Sequence, residues 1–422
     1  MCEKSQILTS SILIYRRGLV LFLLLFFTLV KNSFANDYSL LKQSLIKDLI
    51  SNGFENIRIK VDDDKLILAY ENRVFRFDID AIKEVLKIVA PKLEDKQILI
   101  LIPQNRKVPL VLFEVKVSDC KDYLFSKISG KEFAEKLNID FLVDKIWNEI
   151  ERETEFNSSN FKFDITIKPS VQFQFGPFTK PVMYQVNLVP GLYTSLCKGV
   201  SLDYECILPL HNDLLQREDS VRTGFAVINQ VFRLPGSFFI SSSLGLFQGE
   251  RYGFDLEAKK FYSNGDVNFG FNLGCTSLAY FEGTKLFYSN QFTVTGSLSS
   301  EVRLPEYNLT LGLVIGKFLM GDSSIRFDIY REFDEVQIGF FAIKSTNGIS
   351  NGGFNISIPI FPGKYCNPST VRFRPAENFG WGYLVKSNGA DLIGLTYNTG
   401  NRIDYFIKQL NPEFIKNNFN KN

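Results

Sequence analysis

From Phe161 to about residue 360, apolar side chains recur at every second position. Phe161, Phe163, Ile165 and Ile167 alternate with Lys162, Asp164, Thr166 and Lys168; Leu202, Tyr204 and Cys206 alternate with Ser201, Asp203 and Glu205. Phe254, Leu256 and Ala258 alternate with Asp255, Glu257 and Lys259, and the pattern returns at 267–274, 325–330 and 354–360. Successive side chains of a strand point to opposite faces, so a period of two specifies strands with one apolar face and one polar, charged or glycine face. Turn residues separate the segments: Leu234-Pro235-Gly236, Ser263-Asn264-Gly265, Leu304-Pro305-Glu306 and Thr346-Asn347-Gly348.

A soluble sandwich would alternate in the same way. Three features favour an antiparallel transmembrane barrel. The polar face carries repeated charges, no helix intervenes between strands, and aromatic residues such as Tyr184, Tyr262, Tyr280, Tyr288 and Tyr307 mark strand ends. Hydrocarbon leaves no unpaired backbone amide satisfied, so strands cross it only as a closed barrel. At ~9–11 residues per span, about 240 residues hold about 12–14 strands. The 41 Phe and 17 Tyr suit a surface that meets lipid on alternate residues. The fold class expected is therefore mainly β: a C-terminal barrel with a small N-terminal α+β domain.

The segment ahead of the barrel reads differently. Arg16-Arg17, the apolar run Leu19 to Val30 and Ser33-Phe34-Ala35 have the three-part layout of an export signal over 1–35. Cys2 precedes the apolar run, so no lipobox is present. Residues 36–118 mix periods: Leu41, Leu45, Ile46 and Leu49 at helical spacing, a strand at Ile57–Val61, strand material at Leu66–Leu68 and Val74–Phe77, a helix through Ile82–Val89, and strands at Ile98–Ile102 and Leu110–Val117. This describes an α+β unit placed in the periplasm. Residues 119–159 read as a helical linker, 160–400 as the barrel and 401–422 as a tail. The expected location is the cell outer membrane.

Chemistry is constrained by what is scarce. The single histidine, His211, follows Leu208-Pro209-Leu210 and reads as a loop residue, so triad catalysis and histidine metal sites have little to build on. Cys120, Cys197, Cys206, Cys275 and Cys366 show no CxxC spacing. Asp62-Asp63-Asp64 lacks the spaced ligands of a calcium loop and reads as a hairpin turn. A net charge of +2 offers no surplus for nucleic acid. No catalytic residue, metal site or cofactor is expected, and the chain is read as a non-enzyme.

Several short motifs resemble the YjbH/GfcD family of outer-membrane proteins, which accompany exopolysaccharide and group 4 capsule genes. They are Gly316-Lys317-Phe318-Leu319-Met320-Gly321-Asp322, then Ile325-Arg326-Phe327, Arg331-Glu332-Phe333, and Gly353-Phe354 through Ile358-Pro359; Glu71-Asn72-Arg73 resembles the family's periplasmic domain. The chain departs from the family in its shorter length, its missing lipobox and its lack of a terminal aromatic. The resemblance implies a part in producing or exporting extracellular polysaccharide or capsule, with outer-membrane lipid, polysaccharide and export proteins as partners. Lys317, Asp322, Arg326 and Arg331 are the candidate binding residues, read as facing the lumen. The alternative is a general porin or solute channel.

Overall fold

A computed structural model describes residues 38–175, 179–214, 216–262, 265–366, 369–386 and 392–419. The export signal read over 1–35 lies outside the described residues. Contacts divide the chain into two compact units, Met1–Asp48 and Leu49–Asn422. The first expected helix is α1, residues 38–51.

A six-stranded sheet follows: β1 (Glu55–Val61), β2 (Lys65–Glu71), β3 (Ile98–Asn105), β4 (Val108–Pro109), β5 (Leu112–Lys116) and β6 (Asn138–Asp140). β2 and β3 run parallel, with α2 (Asp78–Val89) as the crossover between them. The apolar run Ile98–Ile102 has both faces covered, as a strand without alternation requires. Ile67, Ala69, Ile100 and Ile102 pack against Val143, Trp147 and Ile150.

Two expectations need correction here. The 119–159 stretch is no free linker, because β6 pairs with β5 and α5 (Asp144–Ile150) supplies part of the core just named. Its apolar residues at helical spacing needed a partner face, and the sheet offers one. Val74–Phe77 forms no regular strand. The Asn72 carboxamide oxygen accepts from the Val74 and Phe75 amides, at 3.2 and 3.0 Å, and that turn breaks the extended run. Helices α3 (Val117–Leu124) and α4 (Gly130–Lys136) complete the layer, α4 closed by a Ser129–Glu132 capping box.

The larger sheet has 15 strands: β7 (Phe163–Phe175), β8 (Val182–Cys197), β9 (Val200–Asn212), β10 (Arg222–Leu234), β11 (Phe238–Phe247), β12 (Arg251–Tyr262), β13 (Val267–Glu282), β14 (Lys285–Tyr288), β15 (Thr293–Leu304), β16 (Leu309–Lys317), β17 (Ser323–Phe333), β18 (Val336–Ser345), β19 (Ser350–Pro359), β20 (Val371–Pro375) and β21 (Asn378–Lys386). Neighbours in sequence pair antiparallel from β7 to β13 and from β15 to β19; β13 pairs both β14 and β15, and β21 pairs β19. His211 lies in β9, paired with Val186, and is not the loop residue its sequence context suggests. The sheet curls until its edges approach. β20 pairs parallel with β7, Val371 opposite Phe163 and Pro375 opposite Ile167. Farther along, the Phe173 and Trp381 rings are 5.9 Å apart and those of Phe175 and Tyr383 5.4 Å apart.

Burial along these strands is the reverse of a soluble protein. On β9, Ser201, Asp203 and Glu205 are 2%, 2% and 5% exposed, while Leu202 and Tyr204 are 42% and 39% exposed. On β11, Ser241 and Ser243 are buried and Leu244 is 60% exposed; on β12, Asp255, Glu257 and Lys259 are buried and Phe254 is exposed. The alternation is as the sequence reads, and its polar side is the inside.

Candidate functional site: a polar cavity beside the C-terminal segment

The turns joining β8 to β9, β10 to β11, β12 to β13 and β17 to β18 lie at one end of the curled sheet, and the α/β layer packs on that end. Three arginines make the joint. Arg233 of β10 donates from Nη1 to the Leu110 carbonyl at 2.8 Å and from Nη2 to that of Phe141. Its guanidinium lies over the Phe239 ring at 4.8 Å. Arg106 sits in the tight turn after β3, at φ 51°, and its carbonyl accepts from the Gly199 amide at 2.8 Å. Arg106 also donates to Asn229 Oδ1 at 3.0 Å and Asn401 Oδ1 at 2.7 Å. Burial pulls its pKa down, against the opposing pull of Asp203 at 3.8 Å. Arg73 reaches Glu71 at 3.1 Å and Asp164 at 3.5 Å. Burial presses on the Arg73 charge too, but the surrounding carboxylates outweigh it and raise its pKa.

The second component is residues 392–419, which return from the far end of β21 and cross the polar face toward the α/β layer. At the far end the Gly394 amide donates to Asp322 Oδ2 at 2.9 Å, and Asn398 bridges to Gln248. In the middle, Asn401 Nδ2 donates to Asp203 at 2.7 Å and Arg402 Nη1 to Asp255 at 3.0 Å. Lys259 Nζ donates to Asp404 Oδ1 at 2.6 Å. Asp404 and Arg402 flank Ile403, the first residue of α6 (Ile403–Ile407). Beyond it Lys408 donates to Gln337 at 2.6 Å and pairs with Glu332 at 3.1 Å. Helix α7 (Pro412–Phe419) then docks on the α/β layer, Phe414 against Phe77 and Phe419 against Phe133 and Tyr123. One short segment thus meets strands from β9 to β18, which is possible only because the sheet curls around it.

Beside that segment is a cavity of about 1560 Å³. It runs from Arg76 and Asp78 at the α/β end to Glu218, Glu250 and Tyr280 at the far end, with β7, β9, β17–β19 and β21 as its wall. Acids, bases, amides and aromatic rings are mixed along it, which suits polyhydroxylated or zwitterionic ligands better than ligands of one charge. Asp78, at the start of α2, accepts from Asn72 Nδ2 at 2.9 Å; burial pushes its carboxyl up to about 6.

The four residues singled out from sequence separate. Arg326 is on the polar face, paired with Asp328 at 2.7 Å. Asp322 lies in the turn before β17 and holds Gly394 and the Ser324 hydroxyl. Lys317 and Arg331 are not on the polar face: Lys317 shares parity with the exposed Leu313 and Ile315, and Arg331 with the exposed Phe327 and Phe333. Both stand near strand ends, where a long basic side chain reaches out of an apolar belt. Sequence reading missed Arg106, Asn401, Arg402 and Asp404, and has Arg73 only as part of the Glu71-Asn72-Arg73 motif. The signal available was Phe414, Ile415 and Phe419 at helical spacing in a supposed tail. His211 stacks on Tyr184 at 4.4 Å and lies 3.2 Å from Asp213. Among the described residues no group of three or more His, Cys, Asp or Glu could hold a metal ion, and no helix is long and apolar enough to cross a membrane.

The molecule is thus a mainly β protein whose large sheet wraps its own C-terminal segment on a polar face. Residues 29–362 match the YjbH model, described as "Exopolysaccharide biosynthesis protein YbjH", and the chain belongs to that family. No curated protein matches it. Among solved structures it is similar to OmpTdeltaL8, a loop L8 deletion mutant of OmpT, an outer membrane protein of Vibrio cholerae, at 10% identity and a TM-score of 0.26, covering 53% of this chain and 98% of that chain.

Proposed function

We propose that the large sheet closes into a β-barrel in the outer membrane, with the α/β layer in the periplasm, and that the protein takes part in producing or exporting an extracellular polysaccharide without being an enzyme. The inverted burial carries the location. A belt of exposed Leu, Phe and Ile around buried Asp, Glu, Lys and Ser is stable in lipid and costly in water. Family membership carries the polysaccharide. Outer-membrane lipid, the polysaccharide and export proteins are the partners. The cavity is the site at which a glycan is handled, and the α/β layer is the surface offered to periplasmic partners. Deleting the gene is expected to lower secreted polysaccharide, and re-expression to restore it; an unchanged extracellular matrix in the deletion strain would sink the proposal.

A general porin is the weaker reading, because residues 394–408 cross the polar face and any axial current must pass beside them.

A further inference from the structure

The edges of the large sheet meet in an unusual way. Residues n of β7 and n + 208 of β20 or β21 face one another along the whole seam, from Phe163–Val371 to Phe175–Tyr383. Over the α/β half the two edges are zipped by a parallel ladder, which continues to the Ala376 amide donating to Ile167 at 3.0 Å. Ion pairs reinforce that half: Arg372 with Asp164 and Glu55, and Arg374 with Asp164. Over the far half, among the described residues, no ladder joins β7 to β21. Aromatic side chains meet across it there, Phe173 on Trp381 and Phe175 on Tyr383.

The sequence explains where the zip stops. Pro169 follows the last paired residues of β7 with its nitrogen on the side that faces β20, and it has no N–H to donate. Farther along the opposite edge the inner face of β21 carries Gly380 and Gly382, which alternate with the outward Trp381 and Tyr383, and a Cβ at Gly380 would meet nothing within 4 Å. Ser170 and Gln172 on β7 and Gly380 and Gly382 on β21 all line the cavity. The half-zipped seam is therefore the wall between a polar cavity and the apolar outside. Unpaired backbone in hydrocarbon costs several kcal/mol per group, so a closed barrel would gain by completing this ladder, yet Pro169 removes the next donor along it.

We infer that the far half of the β7–β21 seam is a lateral gate, through which an amphipathic saccharide passes with its sugar in the cavity and its alkyl chain in the membrane. This rests on the proposed closure of the sheet in a bilayer. Only an amphipathic molecule is served on both sides of such a gap.

The test uses the full chain with its other cysteines replaced by serine or alanine, carrying Gln172→Cys and Gly380→Cys, in phosphatidylcholine vesicles. The probe is dodecyl maltoside with one diazirine on its maltose headgroup and a second in its alkyl chain, and labelled residues are mapped by mass spectrometry. With the thiols reduced, inner-face Ser170 and Asn378 are expected to be labelled together with outer-face Phe173 and Tyr383. Oxidation to the disulfide is expected to abolish the inner labels and keep the outer ones, and dithiothreitol to restore them, which also controls for folding. Inner labels that persist in the disulfide form, or that never appear while the outer ones do, overturn the gate. Missing outer labels overturn the membrane reading beneath it.

Discussion

At the scale of the residue, the joint between the two sheets depends on arginines that meet acceptors from both sides: loop carbonyls for Arg233, Asn side chains for Arg106 and carboxylates for Arg73. Arg233 is the clearest, since two loop carbonyls from different turns converge on it. Replacing it with alanine is expected to cost about 2–3 kcal/mol through the lost charge-assisted bonds and the unmet acceptors, read as a lower denaturation midpoint; an unchanged midpoint would contradict the joint. Asp78 is a second residue with a consequence. Its carboxyl is raised to about 6 by burial, so the folded state holds the proton more tightly than the unfolded chain does. Its contribution to stability is complete below about pH 4, where an unfolded Asp titrates, and is lost as pH rises through about 6. Melting of the protein should thus fall over that window. Asp78→Asn keeps the oxygen that accepts from Asn72 and should flatten the change; an unaltered pH profile in the variant would refute the assignment. Parity is a residue-scale matter as well. Lys317 and Arg331 stand in family-like motifs and are expected to face the lumen, whereas the register puts them with Leu313, Ile315 and Phe327.

At the scale of the element, the C-terminal segment is the part least legible in the sequence. Nothing in Asn401-Arg402-Ile403-Asp404 announces a structural role, because its partners Asp203, Asp255, Glu257 and Lys259 stand some 150–200 residues earlier. The strands were legible for the opposite reason: each declares its own period and needs no distant partner to be recognised. Pairing that skips sequence neighbours, as in β20 against β7, was beyond that signal. The segment's hold can be tested. Arg402→Ala with Asp404→Ala leaves Asp255 and Lys259 without those partners, and such buried charges seek water. In planar bilayers the native protein is expected to conduct weakly and the double variant strongly. Equal conductance would mean that the segment does not obstruct the path.

At the scale of the whole molecule, the account comes down to an inside-out sheet. The small α/β layer has an ordinary apolar core, with Ile67, Ile100 and Trp147 buried. The large sheet buries Asp203, Asp255 and Lys259 and exposes Leu202, Leu244 and Phe254. One chain therefore holds two solvent preferences, and the seam, the cavity and the C-terminal segment all belong to the second. The most direct measurement is electrophoretic mobility of the protein from outer-membrane fractions, with and without boiling in detergent. A closed barrel resists detergent until heated, so the unheated protein should run as a distinct band that shifts on boiling. A single band of unchanged mobility, from protein recovered in the soluble fraction, would contradict the barrel and the function built on it.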